Sequence, residues 1–411
     1  MTQHSIEAER KYDLYSPEAK RDIYDTYGSM RDNDPILKQI GIDGKSPIWW
    51  ISKYKDVSRI LKDNKTFVRD WRIVFPPDPS EQNNGIWSLI DDHMLSKDGA
   101  DHRRLRILVS KAFMPRIINE LRPRIQQIAD ELLEAVGTDG EMDLVAEYAF
   151  PLPTIVISEL LGIPAEDRDR FKVWTNAVLT PNFDPASAQE SMKHIQDFIA
   201  YLGHLFEKRR QQPQDDFVTN LLQAEDDGDR LTEAELYSMM FLLIVAGHET
   251  TVNLIGNAMK ALFYHPEQLA ALKANPTLID TAVEEFLRFD GSVERALARW
   301  TTTDVEIDGH LIPKGSTVIA ILGSANRDGE MFDEAETFDI ARKATPHLAF
   351  GKGAHYCLGA PLARLETAVA INTLLARCPN IQPNVPLDSL TWRNIPGFRG
   401  LKTFPVKWDR S

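Results

Sequence analysis

Only two cysteines, Cys357 and Cys378, occur in 411 residues. That is too few for a disulfide framework or an all-cysteine zinc site, and it points to a reducing, cytoplasmic setting. Cations are also in deficit, with 47 Lys and Arg against 61 Asp and Glu, for a net charge of −14. This balance excludes nucleic acid as a general partner and disfavours binding to anionic membranes. No apolar run opens the chain, so neither a secretory leader nor a membrane anchor is expected. No Pro/Ser/Gly-rich linker, low-complexity tract or internal repeat divides it. A single domain over 1–411 is therefore expected, as a monomer.

What is present reads as mainly α. Hydrophobic residues make up 43% and charged residues 26%, ordinary for a soluble protein with a large core. Amphipathic periodicity marks helices near 101–113, 117–136, 144–161 and 187–211, with further ones at 266–275 and 277–289. The longest helix is expected over 232–264, opened by a Thr232-x-x-Glu235 capping box. Strand character is confined to about 47–52, 295–322 and 396–408, including a hairpin about Asp308-Gly309. The expected architecture is a large helical body with a smaller β-rich region.

Two segments carry chemistry. The first is the loop 350–359, Phe350-Gly-Lys-Gly-Ala-His-Tyr-Cys357-Leu-Gly359. Its glycines let the backbone approach something large and flat without Cβ clashes. Pro361, Leu362, Leu365 and Ala368 open a helix just after it. Cys357 would then sit at a positive helix end, which lowers a thiol pKa from about 8.5. Taken alone, a single cysteine is more often a small buried hydrophobe. The loop lacks the third glycine of a dinucleotide fingerprint.

The second segment is Ala246-Gly-His-Glu249-Thr250-Thr, which interrupts the apolar run of the longest helix. An acid and two hydroxyls there are costly unless partnered or employed. Either they face water, with Thr250 bonding back to the carbonyl four residues earlier, or Thr250 holds water or oxygen while Glu249 relays protons. In the second reading Gly247 thins the helix wall. His248-Glu249 does not begin a zinc helix, because Val252 stands where HExxH needs its second histidine.

The loop matches, in order, the aromatic residue, glycines, basic residue, cysteine and final glycine of the haem-binding loop of the cytochrome P450 family of haem-thiolate monooxygenases. The chain resembles that family from about residue 47 to 408. The resemblance implies the cytochrome P450 fold and haem b (iron protoporphyrin IX) bound through the Cys357 thiolate, with Ala246, Phe350, Gly351 and Gly359 beside it. A thiolate ligand pushes electron density onto the iron and favours O–O cleavage. Glu249 and Thr250 resemble the family's acid–alcohol pair, which serves O2 activation. His102 and Arg106, i,i+4 on one helix face, match propionate ligands, as do Arg299 and His355. Glu285-Phe-Leu-Arg288 resembles the family's ExxR motif, with Arg342 as its buried third member, and these three are structural. Two loops depart from the family pattern, at Asp98-Gly-Ala-Asp-His102 and after Phe332.

The implied reaction is hydroxylation or epoxidation of an apolar small molecule. With no flavin, nicotinamide or iron–sulfur motif in the chain, electrons would come from a ferredoxin or flavodoxin with its reductase. Arg103, Arg104, Lys111, Lys352 and Arg364 form either a basic docking patch for it or scattered solvated cations. Phe67-Val-Arg-Asp-Trp71-Arg and Val293-Glu-Arg-Ala296 look like bacterial macrolide- and polyketide-tailoring hydroxylases. By position, the pocket would draw on Leu89, Ile90, Phe183, Val245, Ala246, Ala296, Leu297 and Phe398. This set suits a polyketide, steroid or fatty-acid guest. Asp91 and Asp92 are more often solvated loop acids than partners of a cationic sugar. Two other readings are a hydrogen-peroxide-driven peroxygenase and a non-catalytic haem-thiolate ligand sensor. The intact Glu249–Thr250 pair argues against both.

Overall fold

The longest apolar stretch folds as two helices end to end, Glu233–Gly247 and Glu249–Tyr264. A computed structural model describes residues 11–409 except 79–85, 87, 111–112, 114, 138–139, 168–169, 172, 175–176, 178–184, 215, 225–227 and 344–345. The capping box forms: Glu235 N–H donates to Thr232 Oγ1 at 3.2 Å and Thr232 N–H to Glu235 Oε2 at 2.8 Å. The expectation of one unbroken helix is corrected at His248, where φ reaches −118°. There the imidazole replaces the ladder, Nδ1 donating to the Ile244 carbonyl at 2.8 Å. Gly247 sits at the break because a Cβ would come within 3.0 Å of Ile157 Cδ1. It serves the crossing with the Pro151–Leu160 helix.

Other expected helices also divide. The 144–161 stretch becomes a π-helical turn, Leu144–Ala149, followed by Pro151–Leu160. Pro151 has no N–H with which to continue the ladder. The 117–136 stretch separates at Leu121 into Pro115–Glu120 and Arg122–Val136.

A five-stranded sheet runs in the order Ile36–Ile40, Pro47–Ile51, Thr317–Ala320, Arg299–Thr301, Phe67–Val68. Its second and third strands are parallel, Trp50 opposite Ile319, a pairing that needs a long crossover. Most of the helical body is that crossover. The Val305–Ile307 and His310–Ile312 hairpin turns at Asp308 (φ 47°) and Gly309 (φ 77°), as an Asp-Gly turn requires. A third sheet joins Glu141–Asp143, Pro405–Lys407 and Gln382–Pro383. The strands at 36–40, 67–68, 141–143 and 382–383 were not expected. Within 396–408, only Pro405–Lys407 is a strand, with isolated bridges at Phe398 and Leu401.

The central helix pair lies in the main apolar core, Met239 to Ile244 and Val252 to Met259 being buried. Among the described residues it is the stretch apolar and long enough to cross a membrane, yet 72% of that window is buried inside the protein. Between the two buried runs, Val245, Ala246, Gly247 and Thr250 keep accessible surface.

Candidate active site

The cysteine loop is held by its own backbone. Cys357 N–H donates to the Phe350 carbonyl at 2.9 Å, and Gly351 N–H to Leu348 at 2.8 Å. Gly351 and Gly353 have φ of 69° and 77°, open to glycine at little cost. At Gly353 a Cβ would lie 2.7 Å from the Leu61 carbonyl, so the loop is seated on the end of the Tyr54–Lys62 helix. The Ala360–Arg377 helix follows, Pro361 in its first turn. Cys357 keeps some accessible surface, yet enclosure by protein pushes its thiol up. The N–H groups of Gly359 and Ala360 and the Arg106 and Arg364 guanidiniums oppose that. The helix-terminus effect expected from the sequence is present, but desolvation outweighs it. A metal cation bound at sulfur reverses that order.

Around this loop the structure gathers His102, Arg106, Arg299 and His355. The His102 and His355 rings lie 4.2 Å apart. His355 Nε2 donates to Asp98 Oδ1 at 3.0 Å, and Asp98 also accepts from the backbone N–H groups of Arg69 at 2.5 Å and Asp70 at 2.8 Å. Arg299 Nη1 donates to the Phe67 carbonyl at 2.9 Å. Burial and neighbouring cations push His102 down to about 4, and burial with Arg69 beside it pushes Arg299 down to about 10. Two buried donors, His102 Nε2 and Arg299 Nε, have no hydrogen-bond partner among the described residues. Two arginines and two histidines crowded together, with buried nitrogens left unpartnered, fit a buried dianion beside a sulfur ligand, which a porphyrin with two propionates presents. The residues present therefore fit haem.

Thr250 Oγ1 donates to the Ala246 carbonyl at 3.1 Å, the back-bond of the first reading above. Glu249 is 1% exposed. Its Oε1 accepts from Asn253 Nδ2 at 3.3 Å and forms an ion pair with Arg393. Neither Arg393 nor Asn253 was singled out from the sequence. Nor was Glu366, which is fully buried. Burial pushes its carboxyl up to about 8, with the Thr251 hydroxyl pulling weakly the other way. The rule applied to Glu249, an acid in an apolar helix, would have found it.

Glu285, Arg288 and Arg342 meet. Arg288 clasps Glu285 through two bonds of 2.7 Å, and Arg342 Nε lies 3.2 Å from Glu285 Oε2. Arg288 also donates to the carbonyls of Asn326, Ala335 and Thr337.

Of the expected pocket residues, Leu89 and Ile90 are half-buried on the short Ser88–Asp91 helix, tied to the central helix by Asp92 N–H to Ser238 Oγ at 3.1 Å. Ala296 and Phe398 are half-buried and Leu297 is 48% exposed. The Val293–Phe398 bridge joins their segments. Phe183 lies outside the described residues, as does Lys111 of the basic patch. That patch is smaller than expected, because Arg104 pairs with Glu235 and Asp229, and Arg364 with Glu284. Arg103 is exposed. Asp92 pairs with Lys97 at 2.5 Å, which leaves it an ordinary loop acid.

Comparison with known proteins gives one answer. The family model for cytochrome P450 matches residues 42–390. The cytochrome P450 monooxygenase PikC of Streptomyces venezuelae is 43% identical over 392 residues, covering 95% of this chain and 92% of that protein. The solved structure of the Bacillus subtilis 168 bacillaene polyketide synthase cytochrome P450 PksS superposes with a TM-score of 0.90 at 40% identity, covering 97% of this chain and 100% of that one. The myxobacterial cytochrome P450 CYP267B1, solved in complex with myristic acid, gives 0.89 at 40% identity, covering 97% and 99%.

Proposed function

The chain belongs to the cytochrome P450 family of haem-thiolate monooxygenases, and from that premise we propose that it hydroxylates or epoxidises an apolar small molecule of polyketide or macrolide, steroid or fatty-acid type. The observation that carries the site assignment is the pair of buried, unpartnered nitrogens, His102 Nε2 and Arg299 Nε, gathered with His355 at the cysteine loop. Bound there, haem b supplies the iron at which O2 is activated and one of its oxygen atoms passes to the substrate.

Each side chain has a definite task in this reading. Cys357 ligates the iron, and the N–H groups of Gly359 and Ala360 stabilise charge on its sulfur. His102, Arg106, Arg299 and His355 seat the propionates, with Asp98 fixing the His355 ring. Phe350, Gly351 and Gly359 shape the thiolate side, and Ala246 leaves room on the other. Thr250 parks its hydroxyl proton on the Ala246 carbonyl and turns it toward the reacting side when needed. Glu249 replenishes that proton. Leu89, Ile90, Phe183, Val245, Ala246, Ala296, Leu297 and Phe398 exclude water and contact the substrate. Glu285, Arg288 and Arg342 hold the fold.

The substrate class is supported by the apolar pocket set and by two similar proteins, one named for a polyketide synthase and one solved with myristic acid. Electrons come from a ferredoxin or flavodoxin with its reductase, docking near Arg103 and Lys352. The protein is read as a soluble cytoplasmic monomer.

The absorption spectrum of the reduced, carbon-monoxide-bound protein tests the core of this. A strongly red-shifted Soret band, lost in Cys357→Ser, is expected. A band at the shorter wavelength of histidine-ligated haem in the wild type overturns the assignment. Turnover with a surrogate ferredoxin and its reductase, beside hydrogen peroxide alone, then tests the electron route.

A further inference from the structure

The pocket residues on the strand side come from two segments, 293–297 and 396–400. They meet through the Val293–Phe398 bridge, Glu294 N–H to the Gly397 carbonyl and Arg399 N–H to the Ser292 carbonyl, both 2.9 Å. Behind them lies a buried ionic cluster remote from the haem loop in sequence. Its centre is Lys20, from the five-residue helix Pro17–Arg21, only 2% exposed. Lys20 Nζ donates to Glu294 Oε2 at 2.9 Å and to the Phe398 carbonyl at 2.7 Å. Glu294 is fully buried. Arg399 closes the loop, donating to the Lys20 carbonyl at 2.5 Å and to Asp290 Oδ1 at 2.6 Å. Arg295 donates to the Leu14 carbonyl at 2.6 Å and to the Tyr27 hydroxyl at 3.0 Å.

A buried ion pair rarely adds stability over apolar packing of the same volume, since each ion loses its hydration. What directed charges add is a fixed geometry. Here the fixed object is the main chain of Phe398, gripped against the residue two before Ala296. We propose that Lys20 is a positioning residue for substrate selection: it pins the Phe398 backbone to Glu294 and so sets the gap between Phe398 and Ala296–Leu297. The proposal rests on the reading that these residues line the pocket.

The test uses haem-loaded protein and two nitrogenous iron ligands, imidazole and 4-phenylimidazole, titrated optically. The phenyl group reaches the pocket wall, so the ratio of the two dissociation constants reports on it. Lys20→Met and Phe398→Ala should each shift that ratio by about tenfold in the same sense. The double variant should shift it no further, as for coupled sites, and Lys20→Arg should restore it. Phe398→Ala shifting the ratio while Lys20→Met leaves it at the wild-type value overturns the proposal, whatever happens to the melting temperature. Phe398→Ala without effect overturns the pocket assignment itself, and the proposal with it. Should Lys20→Met not load haem, Glu294→Gln, of equal size, carries the same expectation.

Discussion

Arg393 and Glu249 form an ion pair across 144 residues of sequence, tying the C-terminal segment to the middle of the central helix. The Glu249 side chain is 2% exposed and that of Arg393 28%. Arg393 is itself fixed by its N–H to the Gly400 carbonyl at 2.8 Å. Gly400 cannot be replaced cheaply, since a Cβ there would lie 1.9 Å from Asn253 Oδ1. Removing the guanidinium leaves a buried carboxylate short of a partner, a loss of about 1–3 kcal/mol. Arg393→Met should therefore lower the unfolding free energy by that amount in urea melts. Adding Glu249→Gln should recover most of it, and simple additivity would show that the two are not coupled.

Thr250→Ala removes the hydroxyl that bonds back to the Ala246 carbonyl and that the proposed function assigns to proton delivery. Proton transfer by a positioned side chain contributes about 10²–10⁴-fold. Product formed per O2 consumed should fall by about tenfold or more, with oxygen uptake persisting. Unchanged coupling would remove Thr250 from the mechanism.

Glu366 makes stability depend on pH with a definite sign. Its folded value is near 8 against an ordinary 4.5, so between these the folded state keeps a proton that the unfolded state has released. The stabilising contribution is complete below about pH 4.5 and is lost as pH rises toward about 8, by up to about 1.4 kcal/mol per unit. Glu366→Gln removes this slope. The difference in unfolding free energy between variant and wild type should move in the variant's favour from about pH 5 to about pH 8. A difference independent of pH would mean that Glu366 does not titrate there.

Glu285→Gln tests the buried arginine clasp. Two guanidiniums then face a neutral amide, and breaking a buried pair costs about 3–5 kcal/mol. The variant should unfold at correspondingly lower urea and accumulate less haem-loaded protein, with the Soret position of the loaded fraction unchanged.

How much of this was readable in advance follows the distance over which each contact acts. The cysteine loop, the capping box and the Asp308-Gly309 turn are local, and their residues announce them. His102 and Arg106 share a helix face, so spacing alone relates them. Arg393 and Asp98 act through partners chosen by the tertiary fold, Glu249 lying 144 residues from Arg393 and His355 257 residues from Asp98, and no window of sequence holds both ends. The strands at 36–40 and 67–68 were missed because they are short and gain their identity from neighbours in the sheet. The break at His248 was hidden because it rests on the imidazole turning back onto the Ile244 carbonyl, which a helical pattern of residues does not announce.

The seat of Gly353 on the Leu61 carbonyl bears on how this enzyme can be evolved in the laboratory. The contact is backbone against would-be Cβ at 2.7 Å, so no rotamer relieves it and no neighbouring substitution makes room. In a randomised library, non-glycine codons at 353 are lost before any screen for chemistry begins. Diversity placed at Leu89, Ile90, Leu297 and Phe398, the proposed pocket residues, leaves that seat untouched.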